Sequence, residues 1–299
     1  RMLVHNEQIV REYLMWAMCG SPQPPGKFDL YAVEGGTAAM CYIFKSLKAN
    51  RLLHPGDTIA LGTPIFTPYL EMTHLEDYDL KMVQIKAPQE NRFQYTDEEI
   101  KKLEDPKIKA FFVVNPGNPI GMAMSKDTIA KIATLVKTKR PDLMLLTDDV
   151  YGTFVDDFRS LLGELPENTI GVYSYSKYFG CTGWRLGVIA VHENNIFDKM
   201  IAKLPEAQQK ALDKRYGPLT LEPRKLKFID RIVADSRDIA LNHTAGLSLP
   251  QQVMMSLFSL CEMMDAEKRY QKACKDIVQK RFQKLVDAMG LQLSPNPNY

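Results

Sequence analysis

Tyr173-Ser174-Tyr175-Ser176-Lys177-Tyr178-Phe179-Gly180-Cys181-Thr182-Gly183-Trp184-Arg185-Leu186-Gly187 joins two short apolar runs, 170–173 and 187–191, that read as β-strands. The joining segment gathers hydroxyls and glycines around Lys177 and Arg185. A lysine amine forms a Schiff base with an aldehyde. An arginine grips a phosphate through paired hydrogen bonds, with serine hydroxyls and glycine amides as further donors. Together these residue types imply a covalently held aldehyde phosphate, pyridoxal 5′-phosphate. Taken alone, Lys177 equally fits a surface lysine beside a glycine turn, so the rest of the chain has to decide.

Outward from this stretch, residues 28–190 alternate short β-branched runs with longer segments of helical period, the pattern of strands joined by crossover helices. Strands are expected near 30–33, 58–61, 80–85, 110–114, 143–147, 170–173 and 187–191, with helices such as 37–48 and 126–137 between them. The fold class is therefore α/β: a mostly parallel seven-stranded sheet flanked by helices on both faces. In such sheets ligands collect beyond the carboxyl ends of the strands. Past residue 190 the pattern turns helical. A charged segment at about 203–238 is expected to be a solvated helical excursion, and helices at 251–264 and 266–289 follow, their methionines serving packing. The expected division is a helical lead-in at 1–27, a cofactor-binding core at 28–191 and a helical remainder at 192–299 with an insertion at about 203–242.

Polar motifs fall just after the strand candidates. Asp148 ends the apolar run Leu145-Leu146-Thr147, where a carboxylate keeps a pyridine nitrogen protonated and the ring a strong electron sink. Tyr151 and Asn118, the latter within Asn115-Pro116-Gly117-Asn118-Pro119, are candidates to hydrogen-bond the ring hydroxyl. Glu34-Gly35-Gly36-Thr37 reads as a glycine turn opening a helix, with Gly36 and Thr37 facing a phosphate. Phe66 follows another strand, placed to stack on the cofactor ring. Each motif by itself also fits an ordinary turn, helix cap or core residue. Their order along one sheet is what favours a shared site.

The remaining composition narrows the class. With 45% hydrophobic residues in 299, the chain can bury a full core, and 38 basic against 36 acidic side chains leave a net charge of +2, too little to wrap nucleic acid. The five cysteines are scattered without metal-ligand spacing, as are His5, His54, His74, His192 and His243, so no metal site is expected. His243 alone follows the insertion closely enough to approach the site. No apolar run nears the roughly 18 residues of a membrane span and no leader pattern opens the chain, so a soluble cytoplasmic protein is expected. Opening on Arg1 and closing on Pro295-Asn296-Pro297-Asn298-Tyr299, it is expected to be a piece of a longer chain.

The ordered set Gly36-Thr37, Phe66, Asn115–Pro119, Asp148-x-x-Tyr151, Ser174-x-Ser176-Lys177 and Arg185 resembles the fold-type-I pyridoxal-phosphate enzymes of the aspartate aminotransferase family. The resemblance is close over residues 28–191. It implies that Lys177 is the Schiff-base lysine, that Asp148 pairs with the pyridinium nitrogen, and that Tyr151 and Asn118 bind the ring hydroxyl. Ser174, Arg185 and the Gly36-Thr37 turn would hold the phosphate, with Phe66 over the ring. The wording of 28–37 and 174–187, with the insertion, is similar to the branch that pairs transamination with β-decarboxylation of L-aspartate to L-alanine and carbon dioxide. A plain aspartate or aromatic aminotransferase is the runner-up, and a non-catalytic binding or regulatory domain is a third reading. Family members use an arginine from a C-terminal small domain for the substrate α-carboxylate and build each site from two subunits. Nothing up to Tyr299 matches that arginine, so the small domain is expected to be missing, and a homodimer or a larger assembly of dimers is expected.

Overall fold

A computed structural model describes residues 2–74, 78–239, 246–293 and 296. His243 and the end of the insertion, 240–242, lie outside the described residues. Strands β1 Phe28–Val33, β2 Thr58–Thr63, β3 Lys81–Lys86, β4 Ile108–Val114, β5 Met144–Asp148, β6 Thr169–Ser174 and β7 Gly187–His192 form a single seven-stranded sheet in the order β1-β7-β6-β5-β4-β2-β3. Helices are α1 Val4–Leu14, α2 Gly36–Ala49, α3 Thr67–His74, α4 Asp97–Lys101, α5 Lys126–Thr138, α6 Leu161–Glu164, α7 Ile196–Ala202, α8 Glu206–Tyr216, α9 Phe228–Ile239, α10 Leu249–Met264 and α11 Arg269–Met289.

The pairs β2–β3, β2–β4, β4–β5 and β5–β6 are parallel, whereas β7 runs antiparallel to both β6 and β1. The sheet is thus the mostly parallel one that the alternating pattern predicts. Reversal of β7 brings its first residue, Gly187, opposite both Val33 at the end of β1 and Ser174 at the end of β6. The carboxyl ends of β1, β2, β4, β5 and β6 and the start of β7 therefore share one edge of the molecule, where the polar motifs lie.

Both faces of the sheet are covered because successive side chains alternate between them. Phe112, Leu146, Val172 and Ile189 pack with α2 residues such as Met40, Ile43 and Leu47 on one face. Phe111, Val113 and Leu145 meet Ile129, Ile132 and Val136 of α5 on the other. A third cluster joins Leu30, Tyr173, Tyr175 and Val188 to Val10 and Tyr13 of α1 and Met255 of α10. Among the described residues no helix is long and apolar enough to cross a membrane.

The insertion departs from the solvated excursion expected. Phe228, Ile229 and Ile232 of α9 are buried at helical spacing in the cluster shared with α2. Charged residues on the same face are buried too: Asp235 accepts hydrogen bonds from Ser46 Oγ (2.6 Å), Asn50 Nδ2 (3.2 Å), the Tyr216 hydroxyl (2.9 Å) and Arg215 Nη2 (2.8 Å). Arg231 lies over the Tyr216 ring at 4.7 Å and donates to Asn50 Oδ1 at 3.2 Å. Buried charge is tolerated only when paired in this way. A charge count cannot distinguish such a docked face from a solvated one.

Candidate active site

Each sequence candidate leaves its strand at the same edge. Gly36 and Thr37 open α2 after β1, Phe66 precedes α3 after β2, and Asn118 lies in the turn after β4. Asp148 is the last residue of β5, with Tyr151 in the turn beyond it, and Ser174 is the last residue of β6. Lys177 and Arg185 bracket the loop from β6 to β7. The structure brings Gly36, Thr37, Phe66, Asn118, Asp148, Tyr151, Ser174, Lys177 and Arg185 together in one cleft, with Tyr69, Val114, Val150, Ser176 and Thr182 completing its wall.

One end of the cleft opens on the first turn of α2. Gly35, at φ +89°, caps α2 with no side-chain hydrogen bond, so the first N–H groups of the helix point out of the fold at the positive end of its dipole. Gly187 lets this turn approach, since a Cβ there would stand 2.7 Å from Gly35 Cα. Gly35 in turn leaves room for the Arg185 guanidinium, whose Cζ would be 2.9 Å from an added Cβ. Arg185 itself adopts a left-handed conformation, φ +57°, and donates to Thr182 O at 3.0 Å and Glu34 O at 3.1 Å. Ser174 Oγ donates to Leu186 O at 3.2 Å, within 2.9 Å of Ser176 Oγ. A cation, hydroxyls and a helix N-terminus thus line the same part of the cleft.

At the opposite end Asp148 is 5% exposed. Its Oδ2 accepts a 2.6 Å hydrogen bond from the Tyr69 hydroxyl, and its Oδ1 accepts from Val150 N at 3.1 Å. Burial pushes the carboxyl above its ordinary range; the Tyr69 hydroxyl, the Val150 N–H and the Lys177 charge pull the other way. Burial, followed by the Asp148 charge, raises Tyr151 and also Tyr69. The neighbouring Asp149 faces away from the cleft and accepts from Thr147 Oγ1 at 2.7 Å and from Ser160 Oγ. Lys177 is exposed and forms no hydrogen bond or ion pair among the described residues. Its amine is available to a ligand.

Tyr69 and Thr182 were given no role by the sequence, and Ser176 stood there only as a motif position. Tyr69 follows Phe66 by three residues as α3 begins, a spacing that sets the two rings edge to face at 5.3 Å and supplies the signal that would find it. Thr182 Oγ1 donates to Ser176 O at 2.9 Å and closes the lysine loop on itself, a contact that follows from the chain path rather than from spacing.

The donor set fits pyridoxal 5′-phosphate. A Cβ at Gly36 would project into the cleft to 3.8 Å from Asp148 Oδ2, so the absent side chain leaves a slot between the phosphate turn and the carboxylate. Fold and site together define a class, and the chain belongs to it: residues 35–292 match the family model of aminotransferase class I and II, whose enzymes depend on that cofactor. It is 54% identical over 298 residues to a bifunctional aspartate aminotransferase and L-aspartate beta-decarboxylase from Pseudomonas sp, spanning 100% of this chain and 56% of that protein. An aspartate aminotransferase from Pyrococcus abyssi is 33% identical over 157 residues, 51% of this chain and 39% of its own length. Among solved structures, a single mutant of Thermus thermophilus aspartate aminotransferase superposes with a TM-score of 0.67 at 19% identity, covering 96% of this chain and 63% of its own. The chain thus spans little more than half the length of the Pseudomonas relative.

Proposed function

We propose that the protein to which this chain belongs converts L-aspartate to L-alanine and carbon dioxide, with transamination of aspartate as a side activity. The observation that carries this reading is the 54% identity maintained over the whole chain, insertion included, with the bifunctional relative. In sequence, a relative named only as an aspartate aminotransferase, from Pyrococcus abyssi, aligns with 51% of the chain.

When bound, pyridoxal phosphate supplies an aldehyde for the substrate amine and a protonated ring that withdraws electrons. The roles of this chain's residues follow from their places. Lys177 Nζ, which forms no hydrogen bond or ion pair among the described residues, would hold the cofactor's aldehyde and, when its amine is free, would take the proton from the substrate Cα. Asp148, oriented by its hydrogen bonds from Tyr69 and Val150, would pair with the ring nitrogen and keep its proton in place. Tyr151 and Asn118 bind the ring hydroxyl, and Phe66 covers one ring face. The Gly36-Thr37 turn, Ser174 and Arg185 fix the phosphate and thereby the angle at which the ring meets Lys177. Burial of Asp148 strengthens its pairing with a cation while excluding water from it.

The homodimer, or an assembly of dimers, belongs to the same proposal, and a cytoplasmic location is consistent with it. Full-length protein supplied with L-aspartate tests the reading. Alanine and carbon dioxide released without a keto-acid acceptor support it. Oxaloacetate formed only when an acceptor is present identifies a plain aminotransferase. Failure to bind pyridoxal phosphate identifies a binding or regulatory domain.

A further inference from the structure

Glu34 stands between the end of β1 and the first turn of α2 and does not line the cleft, yet every oxygen it carries is engaged. Its Oε1 accepts from the Gly246 N–H at 3.1 Å and its Oε2 from the Tyr42 hydroxyl at 2.9 Å. Its carbonyl oxygen is the one that seats Arg185 Nη2 at 3.1 Å. The N–H of the same peptide unit, on Gly35, donates to Val33 O at 2.8 Å, so the chain makes a three-residue turn centred on Glu34. Gly35 adds little restraint to that peptide unit, and the anchored side chain of Glu34 is what steadies it.

Gly246 and the first turn of α10 tie this turn to the rest of the chain. Gly246 lies between α9 and α10 at φ +89°, and a Cβ there would stand 3.1 Å from Tyr31 Cε2, so the glycine lets its N–H come up to Glu34. At the far end of α2, Asp235 of α9 accepts from Ser46 and Asn50; nearer the start, Glu34 joins Tyr42 of α2 to Gly246. In the first turn of α10, Gln251 Nε2 donates at 3.1 Å to the carbonyl oxygen of Trp184, the residue before Arg185. Arg185 is thus flanked by two contacts that both run to residues 246–251.

We propose that Glu34 is a positioning residue for the cofactor phosphate, its carboxylate fixing the carbonyl that seats Arg185 and carrying the docked position of α9 and α10 to the phosphate turn. An arginine meets a phosphate through donors set in a rigid fork, so the direction of that fork decides how well the two fit. Here the carbonyls of Glu34 and Thr182 each accept from one of its terminal nitrogens and aim the donors that remain. Burial, followed by the hydrogen bond to Glu34, raises the Tyr42 hydroxyl above its ordinary range and keeps it a donor. The inference rests on the reading of Arg185 and the Gly36-Thr37 turn as the phosphate holder.

Absorbance titrations of the full-length apoprotein with pyridoxal 5′-phosphate and with pyridoxal, which lacks the phosphate, test the proposal. Wild type is expected to prefer the phosphate form. Glu34→Ala is expected to bind pyridoxal phosphate at least about fivefold more weakly, the size of a lost hydrogen bond, with its affinity for pyridoxal unchanged. Glu34→Gln should keep the wild-type affinity for both, since its amide offers an oxygen to the Gly246 N–H and an N–H to the Tyr42 hydroxyl. A wild type that binds both forms equally overturns the phosphate reading and this inference with it. A preference for the phosphate form that Glu34→Ala retains in full overturns this inference alone. A parallel loss of both ligands in Glu34→Ala also overturns it, by showing a purely structural residue.

Discussion

The Tyr69 hydroxyl donates to Asp148 Oδ2 at 2.6 Å, tying the first turn of α3 to the last residue of β5. The contact orients the carboxylate and opposes the upward push that burial gives it. Tyr69→Phe removes the donor and keeps the ring. A hydrogen bond to a charged group contributes about 1.5–3 kcal/mol to stability, so the melting temperature should drop, and turnover should fall roughly tenfold or more as the carboxylate loses its orientation. Steady-state kinetics beside a thermal melt check this; unaltered turnover would remove Tyr69 from the account.

Gly187 controls how closely the lysine loop approaches the phosphate turn. An added methyl would stand 2.7 Å from Gly35 Cα and 2.8 Å from Gly35 C, against backbone that has little freedom to yield. Gly187→Ala should bind the cofactor at least tenfold more weakly, measured by reconstitution of the apoprotein across a pyridoxal phosphate titration. Wild-type affinity would mean that the turn is not part of the phosphate site.

Asp149 makes stability depend on pH. Burial raises its carboxyl from 3.8 to about 7, against the hydrogen bonds from Ser160 and Thr147. Because the folded value is the higher one, this group's contribution is complete below about pH 4. It is lost as pH rises toward 7, since the unfolded chain releases the proton first, and it is constant above that. Asp149→Asn should flatten the stability curve between about pH 4 and 7 by roughly 1–4 kcal/mol, read from urea melts across that window. An unchanged slope would assign the pH dependence elsewhere.

Asp235 anchors the insertion to α2, the helix whose first turn faces the cleft. Asp235→Ala removes the buried acceptor shared by Ser46, Asn50, Arg215 and the Tyr216 hydroxyl and should destabilise the protein by about 3–5 kcal/mol. Chemical denaturation gives the number, and a loss below about 1 kcal/mol, the range of an exposed ion pair, would show that the network is not buried in solution.

The strands were legible because alternating apolar runs bounded by turn residues leave few other folds. The site was legible because its residues sit one or two positions past those strands, where a parallel sheet must deliver them. Tyr69 was not, because its partner Asp148 is 79 residues away and the pairing exists only once β2 and β5 share a sheet. Asp148 and Asp149 read alike in the chain and separate only through alternation, which turns one toward the cleft and the other toward Ser160. The insertion misled for a similar reason, since Asp235 and Arg231 count as surface charges until Asn50 and Tyr216 are seen between them.

The account rests on Lys177, exposed in the cleft and free of partners among the described residues. Borohydride reduction of the pyridoxal-phosphate-loaded protein, followed by peptide mass mapping, tests it most directly. The account predicts a stable cofactor adduct on the peptide containing Lys177, absent from Lys177→Ala together with the visible absorption. An adduct on another lysine, or visible absorption that survives in Lys177→Ala, would contradict it.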